Sequence, residues 1–560
     1  MRIFILTHAF NSLTQRIWLD LAEAGHTISV VFDVNDAATV RAVNDARPNV
    51  ILAPFLKRAI PEIIWRTIPC FIVHPGPSGD KGPSALDWAI LEGHQTWGVT
   101  VIQAVAEMDA GPVWAHRTFA MRDATKSSLY RREVTEAAVA AVTEALDRFN
   151  TRQGPHAPDN GPAAARPAMI QQDRRIDWAT LSTRDVVRHI RAADGTPGVK
   201  DTIGGHDVWL HDAHSANGTG QAGDILGRGD EAVLRATTDG AVWIGQMRVG
   251  IPGEDRTLKL PAVEALRLLN LPLPHKVQVA GEPSRVIHDR QDDIAIIQFP
   301  FYNGAMSLSR CRALEAAIRD AGQSDASAVL LTGGEDFWSN GIDLAMIEAS
   351  DSPADASMAV IEAIDDVCLA LLDLTDQWVV SLLRGNAGAG GVFMALAADE
   401  VLARDGVVLN PHYKNMGNLY GSEYWTYLLP RRLGPKGAQA LMETRLPVSA
   451  RGAKTIGLID DLIPGSPEDC KGAAIQRIQS TLTDPKYGER LREKRAKRLA
   501  DEAVRPLASF RAAELSAMRL NFFGFDTSYH VARYNFMTKV PKSRTPHYLS
   551  RPYRFPSPVG

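Results

Sequence analysis

The chain has little cysteine: Cys70, Cys311, Cys368 and Cys470 are its four, far apart and in no paired spacing. That excludes a disulfide framework and a zinc cluster, and it suits a reducing compartment, so the expected location is the cytoplasm and the four read as core thiols. An excess of charge of one sign is missing too. The net charge of −4 provides no field for nucleic acid. No segment reaches the roughly 20 apolar residues that a membrane span needs. The apolar stretch Ile3 to Leu6 is far too short for a signal peptide and reads as a buried first strand. No internal repeat and no metal-ligand constellation appears. What is there is ordinary globular composition, 45% hydrophobic and 7% aromatic over 560 residues, a length at which several domains each bury a core.

Strand-like Ile3 to Leu6, a helical stretch about Ile17 to Ala24, and strand-like Ile28 to Phe32 and Val50 to Ala53 alternate as βαβ units do, so residues 1–150 predict a Rossmann-like parallel-sheet α/β domain. Residues 151–169 are rich in Pro, Gly, Ala and Asn and read as a linker at a domain boundary. Short alternating stretches such as Val208 to Leu210 and Val242 to Ile244 make 170–270 a small β-rich domain. A second α/β pattern fills 285–465, starting with strand-like Ile294 to Phe299 and a helix capped by Ser307, whose Leu308, Cys311, Leu314 and Ile318 share one face. Strand-like Ala328 to Leu331 and Val379 to Leu383 follow. Residues 466–560 form a helical, basic C-terminal extension. Within it Arg490, Arg492, Lys494, Arg495, Lys497 and Arg498 alternate with acids as an exposed helix face does, with nucleic-acid binding a minor alternative.

In the front part, Cys70-Phe-Ile-Val-His74 is an apolar strand running into a Gly/Pro loop, which places His74 at the carboxyl end of a parallel strand, where open α/β sheets put their ligand crevices. Gly98-Val-Thr100 starts another strand that leads to Asp109-Ala-Gly111-Pro112. A carboxylate there can hold the imidazole in one tautomer while the imidazole moves a proton in acyl transfer. A histidine and an aspartate in loops are more often structural, and the residues alone leave both readings open. The order His74-Pro, Gly82-Pro-x-x-x-x-Trp-Ala-Ile90, Gly98-Val-Thr100 and Asp109-x-Gly111 resembles the 10-formyltetrahydrofolate-using formyltransferase and hydrolase family. Past the linker, Arg175-Ile-Asp-Trp178, Ile190-Arg-Ala192 and Thr196-Pro-Gly198 look like the small C-terminal β-domain of methionyl-tRNA formyltransferase. The resemblance implies 10-formyltetrahydrofolate as formyl donor, with His74 and Asp109 catalytic. That family's third catalytic residue is an Asn two positions before the His; here it is Ile72, and the loop after His74 is shorter than the family's.

In the back part, Leu330 to Leu344 is a strand followed by a turn holding Asn340 and Gly341. Arg384-Gly-Asn-Ala-Gly-Ala-Gly-Gly391 follows a buried strand and opens an apolar helix. Gly-rich turns before helices present free N–H groups and a positive dipole end, and two facing one another make an oxyanion hole. Alone, the second turn reads equally as a phosphate loop or a tight turn, though not Walker A, since no Lys-Ser or Lys-Thr follows. Together with Asn303-Gly-Ala-Met-Ser307 and Ala450-x-x-Ala-x-x-x-Gly-Leu458, the turns resemble the crotonase (enoyl-CoA hydratase/isomerase) family, which implies that the N–H groups of Asn340 and Gly390 hold a CoA-thioester carbonyl. The family's two hydratase glutamates fall here on Phe393 and Tyr413, so ordinary hydration is not expected. Glu423, in an aromatic-rich stretch where burial can raise its pKa, is the remaining carboxylate; it reads either as a base or as a buried glutamate bonded to backbone.

The fusion of these modules, with Tyr413 and Glu423, resembles the HypX (HoxX) family of NiFe hydrogenase maturation factors. That resemblance implies formyl transfer from 10-formyltetrahydrofolate to coenzyme A, then decarbonylation of formyl-CoA to carbon monoxide, a ligand of the hydrogenase iron, with hydrogenase maturation proteins as further partners. Glu423 would be the base or proton shuttle and Tyr413 its partner. Phosphates of CoA demand cationic or amide donors, for which Gln15, Arg16, Arg131, Arg445 and Arg544 are the candidates. Two other readings stay open: a formyltetrahydrofolate hydrolase joined to an independent acyl-CoA hydratase/isomerase, and a non-catalytic CoA-binding scaffold.

Overall fold

The structure, a computed structural model, describes residues 1–156 and 164–554. Residues 157–163 of the expected linker and 555–560 of the expected tail lie outside them. The chain divides into two compact units: Met1–Gly250 with Pro261–Gly281 and Pro541–Gly560, and Ile251–Leu260 with Glu282–Val540.

In the first unit the apolar runs become β1 (Arg2–Thr7), β2 (Thr27–Phe32), β3 (Val50–Phe55) and β4 (Cys70–His74), completed by β5 (Thr96–Gln103) and β6 (Val113–Ala120). Their order is β2-β1-β3-β4-β5-β6. The first four are parallel, as the βαβ alternation predicts. The expectation of a wholly parallel sheet is corrected at β5 and β6, which run antiparallel to their neighbours. The short connection 104–112 between them leaves no room for the crossover that a parallel pair requires. Helix α1 (Ser12–Glu23) begins where the Asn11 side chain accepts the Thr14 N–H (3.0 Å) and buries Leu13, Ile17, Trp18 and Leu21 on one face. Beyond the linker, Ile225–Arg228, Val233–Ala236, Ala241–Gly250, His206–Ala216 and Val199–Ile203 pair antiparallel in that order, the expected β-rich region. The last described residues return to this unit: Tyr553 exchanges backbone hydrogen bonds with Ile28 and lies against the Trp18 ring.

The second unit carries β7 (Ile287–Gln291), β8 (Ile294–Phe299), β9 (Ala328–Gly333), β10 (Trp378–Leu383), β11 (Glu400–Arg404) and β12 (Asp461–Ile463), side by side in chain order. From β8 onward all pairs are parallel. The central strands AVLLTG and WVVSLL are almost continuously apolar because both faces are covered. A second small sheet joins Phe337–Ser339, Asn386–Gly388, Val408–Asn410 and Val448–Ser449. It sets the two Gly-rich turns next to each other. The helix capped by Ser307 forms as expected, with Cys311, Leu314 and Ile318 buried. Two more helices matter for the site: α2 (Pro353–Leu372) and, in the extension, α3 (Leu507–Phe523).

One expectation for the extension is overturned. Arg492, Arg495 and Lys497 are exposed, but Lys494 turns inward and donates to the carbonyls of Leu374 and Gln377 and to Asp399 (2.6 Å). A helix this basic has more cations than its exposed face needs, and one fastens it to the body. All four cysteines are buried free thiols. Among the described residues no helix is long and apolar enough to cross a membrane, and no group of three or more His, Cys, Asp or Glu is placed to hold a metal.

Candidate active sites

His74 closes β4 and is buried, as is Asp80 near it, while Asp109 is half-buried. Its Nε2 lies 2.8 Å from Asp80 Oδ2, a hydrogen bond. Its Nδ1 lies 3.8 Å from Asp109 Oδ2, beyond hydrogen-bonding reach. Asp109, at φ 53°, instead accepts the Gly82 N–H at 3.3 Å. The expectation is met in part: Asp109 stands at ion-pair distance from one ring nitrogen, but the hydrogen bond that grips the imidazole comes from Asp80 on the other. The loop folds back to do this through a turn in which the Asp80 N–H donates to the Pro77 carbonyl (3.0 Å), with Gly79 at φ 88°. Gly76 lies directly under the pair, where a Cβ would overlap both His74 Nε2 and Asp80 Oδ2. A carboxylate six residues after the histidine in a Gly-Pro-Ser-Gly turn was the available signal, and the sequence reading passed over it. Ile72 is half-buried and packs against the apolar cluster of Phe4, Leu6, Ile51 and Cys70, so the position of the family's Asn has an apolar setting here.

Of the expected CoA-binding side chains, Gln15 stands near the N-terminus of α1 and donates to the Phe10 carbonyl (2.9 Å). Arg131 lies in a π-helical turn, Tyr130–Val134, next to Tyr130, whose ring meets Phe55 at the end of β3. Arg544 is exposed beside Thr545, whose hydroxyl accepts the Phe32 N–H (2.7 Å) at the end of β2. These three thus stand around the carboxyl ends of β1 to β3. Arg16 does not join them; it pairs with Asp20 one helical turn on, at 2.7 Å. Arg445 belongs to the second unit, where it donates to Asn418 (2.6 Å).

In the second unit the two Gly-rich turns do face each other: a Cβ on Gly341 would lie 3.5 Å from that of Ala389 and 3.7 Å from the Gly390 nitrogen. The expected donor pair is nevertheless corrected. The Asn340 N–H already donates to the Gly304 carbonyl (2.8 Å), because the segment around Met306 pairs with Ile342 like an extra strand. The Asn340 side chain is likewise committed, to the Asn303 carbonyl (2.8 Å). Gly390 opens the short helix Gly390–Leu396, and the Glu423 carboxyl presses so closely on it that any Cβ would overlap.

Glu423 is wholly buried. Its Oε2 accepts from the Tyr413 hydroxyl and from the Ser422 N–H (3.2 Å). The Tyr413 ring stacks on Phe393, with centroids 5.4 Å apart and planes at 19°, so the places of the two lost glutamates are filled by one aromatic pair. Burial pushes the Glu423 carboxyl above its ordinary range, and burial together with Glu423 pushes the Tyr413 hydroxyl well up. Glu423 and Tyr424 are consecutive left-handed residues, φ 63° and 55°, a conformation costing roughly 1–2 kcal/mol each outside glycine. Two buried carboxyls hold them. Asp365 of α2 accepts the Glu423 N–H (2.7 Å), and Glu514 of α3 accepts the N–H groups of Tyr424 (2.9 Å) and Thr426 (2.8 Å). Burial, then Glu423, raises Asp365 well above its usual value; burial foremost lifts Glu514 to about 7. Sequence reasoning missed both. Asp365 was detectable as an acid among Ile361, Ile364, Cys368 and Leu371 on an apolar helix; nothing in the sequence around Glu514 points to the site.

The family model described as formyl transferase, C-terminal domain, matches residues 168–251, and that described as enoyl-CoA hydratase/isomerase matches 289–517. The hydrogenase maturation factor HoxX of Bradyrhizobium diazoefficiens is 48% identical over 98% of this chain and 96% of its own. The chain belongs to the HypX/HoxX family of hydrogenase maturation factors. The crystal structure of HypX from Aquifex aeolicus in complex with tetrahydrofolic acid is 44% identical, with 98% of each chain covered and a TM-score of 0.94. A methionyl-tRNA formyltransferase of Roseiflexus castenholzii is 30% identical over 173 residues, 30% of this chain and 55% of its own. A HypX/HoxX chain is therefore a mixed α/β protein with a formyltransferase-like and a crotonase-like module; the hydratase/isomerase match takes in Gly390 and Glu423, while His74, Asp80 and Asp109 precede the formyl transferase C-terminal match.

Proposed function

We propose that this chain makes carbon monoxide in two steps. At the front, the formyl group of 10-formyltetrahydrofolate passes to the thiol of coenzyme A: His74 takes the thiol proton as sulfur attacks the formyl carbon, and returns it to the folate nitrogen as the C–N bond breaks. At the back, Glu423 takes the formyl proton. The C–H electron pair stays on carbon, the C–S bond breaks towards sulfur, and a proton restores the CoA thiol, so that formyl-CoA becomes CO and CoA with no oxidant or reductant. Tyr413 holds the Glu423 carboxyl, and the Gly390 turn receives the thioester.

The observation that carries this reading is Glu423, a buried carboxyl of raised pKa set against Gly390 where the crotonase glutamates are gone. Tetrahydrofolate bound to a relative covering 98% of the chain supports the donor. Gln15, Arg131 and Arg544 at the front and Arg445 at the back would hold CoA phosphates, in a cytoplasm whose reducing character suits the four thiols. The CO would serve hydrogenase maturation proteins.

The test supplies 10-formyltetrahydrofolate and CoA to the purified chain and follows formyl-CoA, formate and CO together. Formyl-CoA and CO are expected. Formate alone would mark a hydrolase, and no turnover of supplied formyl-CoA would mark a scaffold; either overturns the proposal.

A further inference from the structure

We infer that Asp80 is the positioning residue of the front site, and that Asp109 stands on the opposite, reacting side of the imidazole. This inference rests on the formyl-transfer reading for its consequence, but not for its geometry. A neutral imidazole carries one N–H and one lone pair, and a carboxylate only accepts. The 2.8 Å bond to Asp80 therefore puts the proton on Nε2 and leaves the lone pair on Nδ1.

The loop is built to keep that bond. The Thr100 hydroxyl donates to the Gly76 carbonyl (2.8 Å) and the Trp97 indole to that of Pro75 (2.9 Å), so both residues after His74 are fastened to β5. Gly76 then passes under the pair so closely that a Cβ there would displace the His74 ring or the Asp80 carboxylate. Asp109 is fastened separately, by the Gly82 N–H, with its Oδ2 3.8 Å from Nδ1. When Nδ1 takes the thiol proton, the new N–H faces Asp109, which steadies the imidazolium until the proton passes to the folate nitrogen. The division of labour is that of a hydrolase triad: one carboxylate fixes the tautomer from behind the ring while the other nitrogen reacts. Asp80 also supplies from within the loop a polar group that the family's pattern places on the strand, at the position held here by Ile72.

The experiment is histidine-tautomer NMR on the full chain labelled with 15N-histidine, with His74 assigned by its loss in His74→Gln, together with tetrahydrofolate release from 10-formyltetrahydrofolate and CoA. The expected wild-type signature is a protonated Nε2 and an unprotonated Nδ1. In Asp80→Asn the amide can donate to Nε2 and push the proton to Nδ1, so the signature reverses or mixes and release falls about 10²–10⁴-fold at little changed KM. Asp109→Asn keeps the wild-type signature. Gly76→Ala, which leaves Asp80 in place but crowds the bond, reproduces the Asp80→Asn signature. A wild-type proton on Nδ1, or an Asp80→Asn chain with wild-type tautomer and rate, overturns the inference. Failure of formyl transfer itself would appear as absent release in the wild type with the tautomer unchanged.

Discussion

The front and back sites have undergone the same kind of exchange by different means. In each, an expected polar group has become apolar or aromatic, Ile72 at the front and Phe393 with Tyr413 at the back, and a carboxylate on a nearby loop has come in, Asp80 and Glu423 respectively. The front replacement is local: His74, Gly76 and Asp80 lie within one strand and its following loop. The back replacement gathers residues from three distant segments, with Asp365 on α2, Tyr413 and Glu423 in one long loop, and Glu514 in the extension. The difference teaches that a hydrogen-bonded pair can be built from one loop. A carboxyl kept buried beside two others needs walls from several elements to hold a strained backbone and exclude water.

If the two sites act separately, single substitutions should silence one and spare the other. Glu423→Gln is expected to cut CO release from supplied formyl-CoA by about 10²–10⁴-fold, the usual worth of a general base, with tetrahydrofolate release unchanged. Undiminished CO release would remove Glu423 from the chemistry. His74→Gln should do the converse, abolishing tetrahydrofolate release to a similar degree while CO from supplied formyl-CoA persists; loss of both activities would break the comparison.

A smaller effect is expected at Gly390→Ala. The added methyl overlaps the Glu423 carboxyl, so CO release should fall while thermal unfolding shows a loss of about 1–3 kcal/mol, as for other overpacked sites. The pH dependence of the back site follows from its raised carboxyl. Glu423 must be ionised to act, so CO release should be lost as pH falls through a midpoint above the ordinary 4.5. Glu514 has the opposite consequence for stability. Its folded-state pKa is raised from 4.5 to about 7, so the folded state binds the extra proton. Its contribution is fully present below 4.5 and is lost as pH rises through about 7. Glu514→Gln should flatten that slope by up to about 3 kcal/mol, read from unfolding midpoints at about pH 5 and about pH 8.

How much of this was readable beforehand tracks contact range. The β1 to β3 strands and the Ser307 cap follow from runs and caps of a few residues and appear where expected, within two residues at their ends, while α1 starts at Ser12, five residues before the expected Ile17. The antiparallel turn at β5, the inward Lys494 and the closed Asn340 N–H depend on which segment lies alongside, and no local pattern encodes that. His74 stood out as a candidate because the residues around it resemble a family motif, Tyr413 because it stands where a motif glutamate is missing, and Glu423 as the remaining carboxylate in an aromatic stretch. Asp80 was legible in principle, from its turn.

By itself, the sequence determined the two modules, their order, and the loss of the usual polar groups at Ile72, Phe393 and Tyr413, because these are properties of single positions and short periodic runs. Only the tertiary structure decided what took their place. A hydrogen bond such as His74 to Asp80, or the hold of Asp365 and Glu514 on the backbone of Glu423 and Tyr424, exists only when separate segments are brought within about 3 Å and shielded from water.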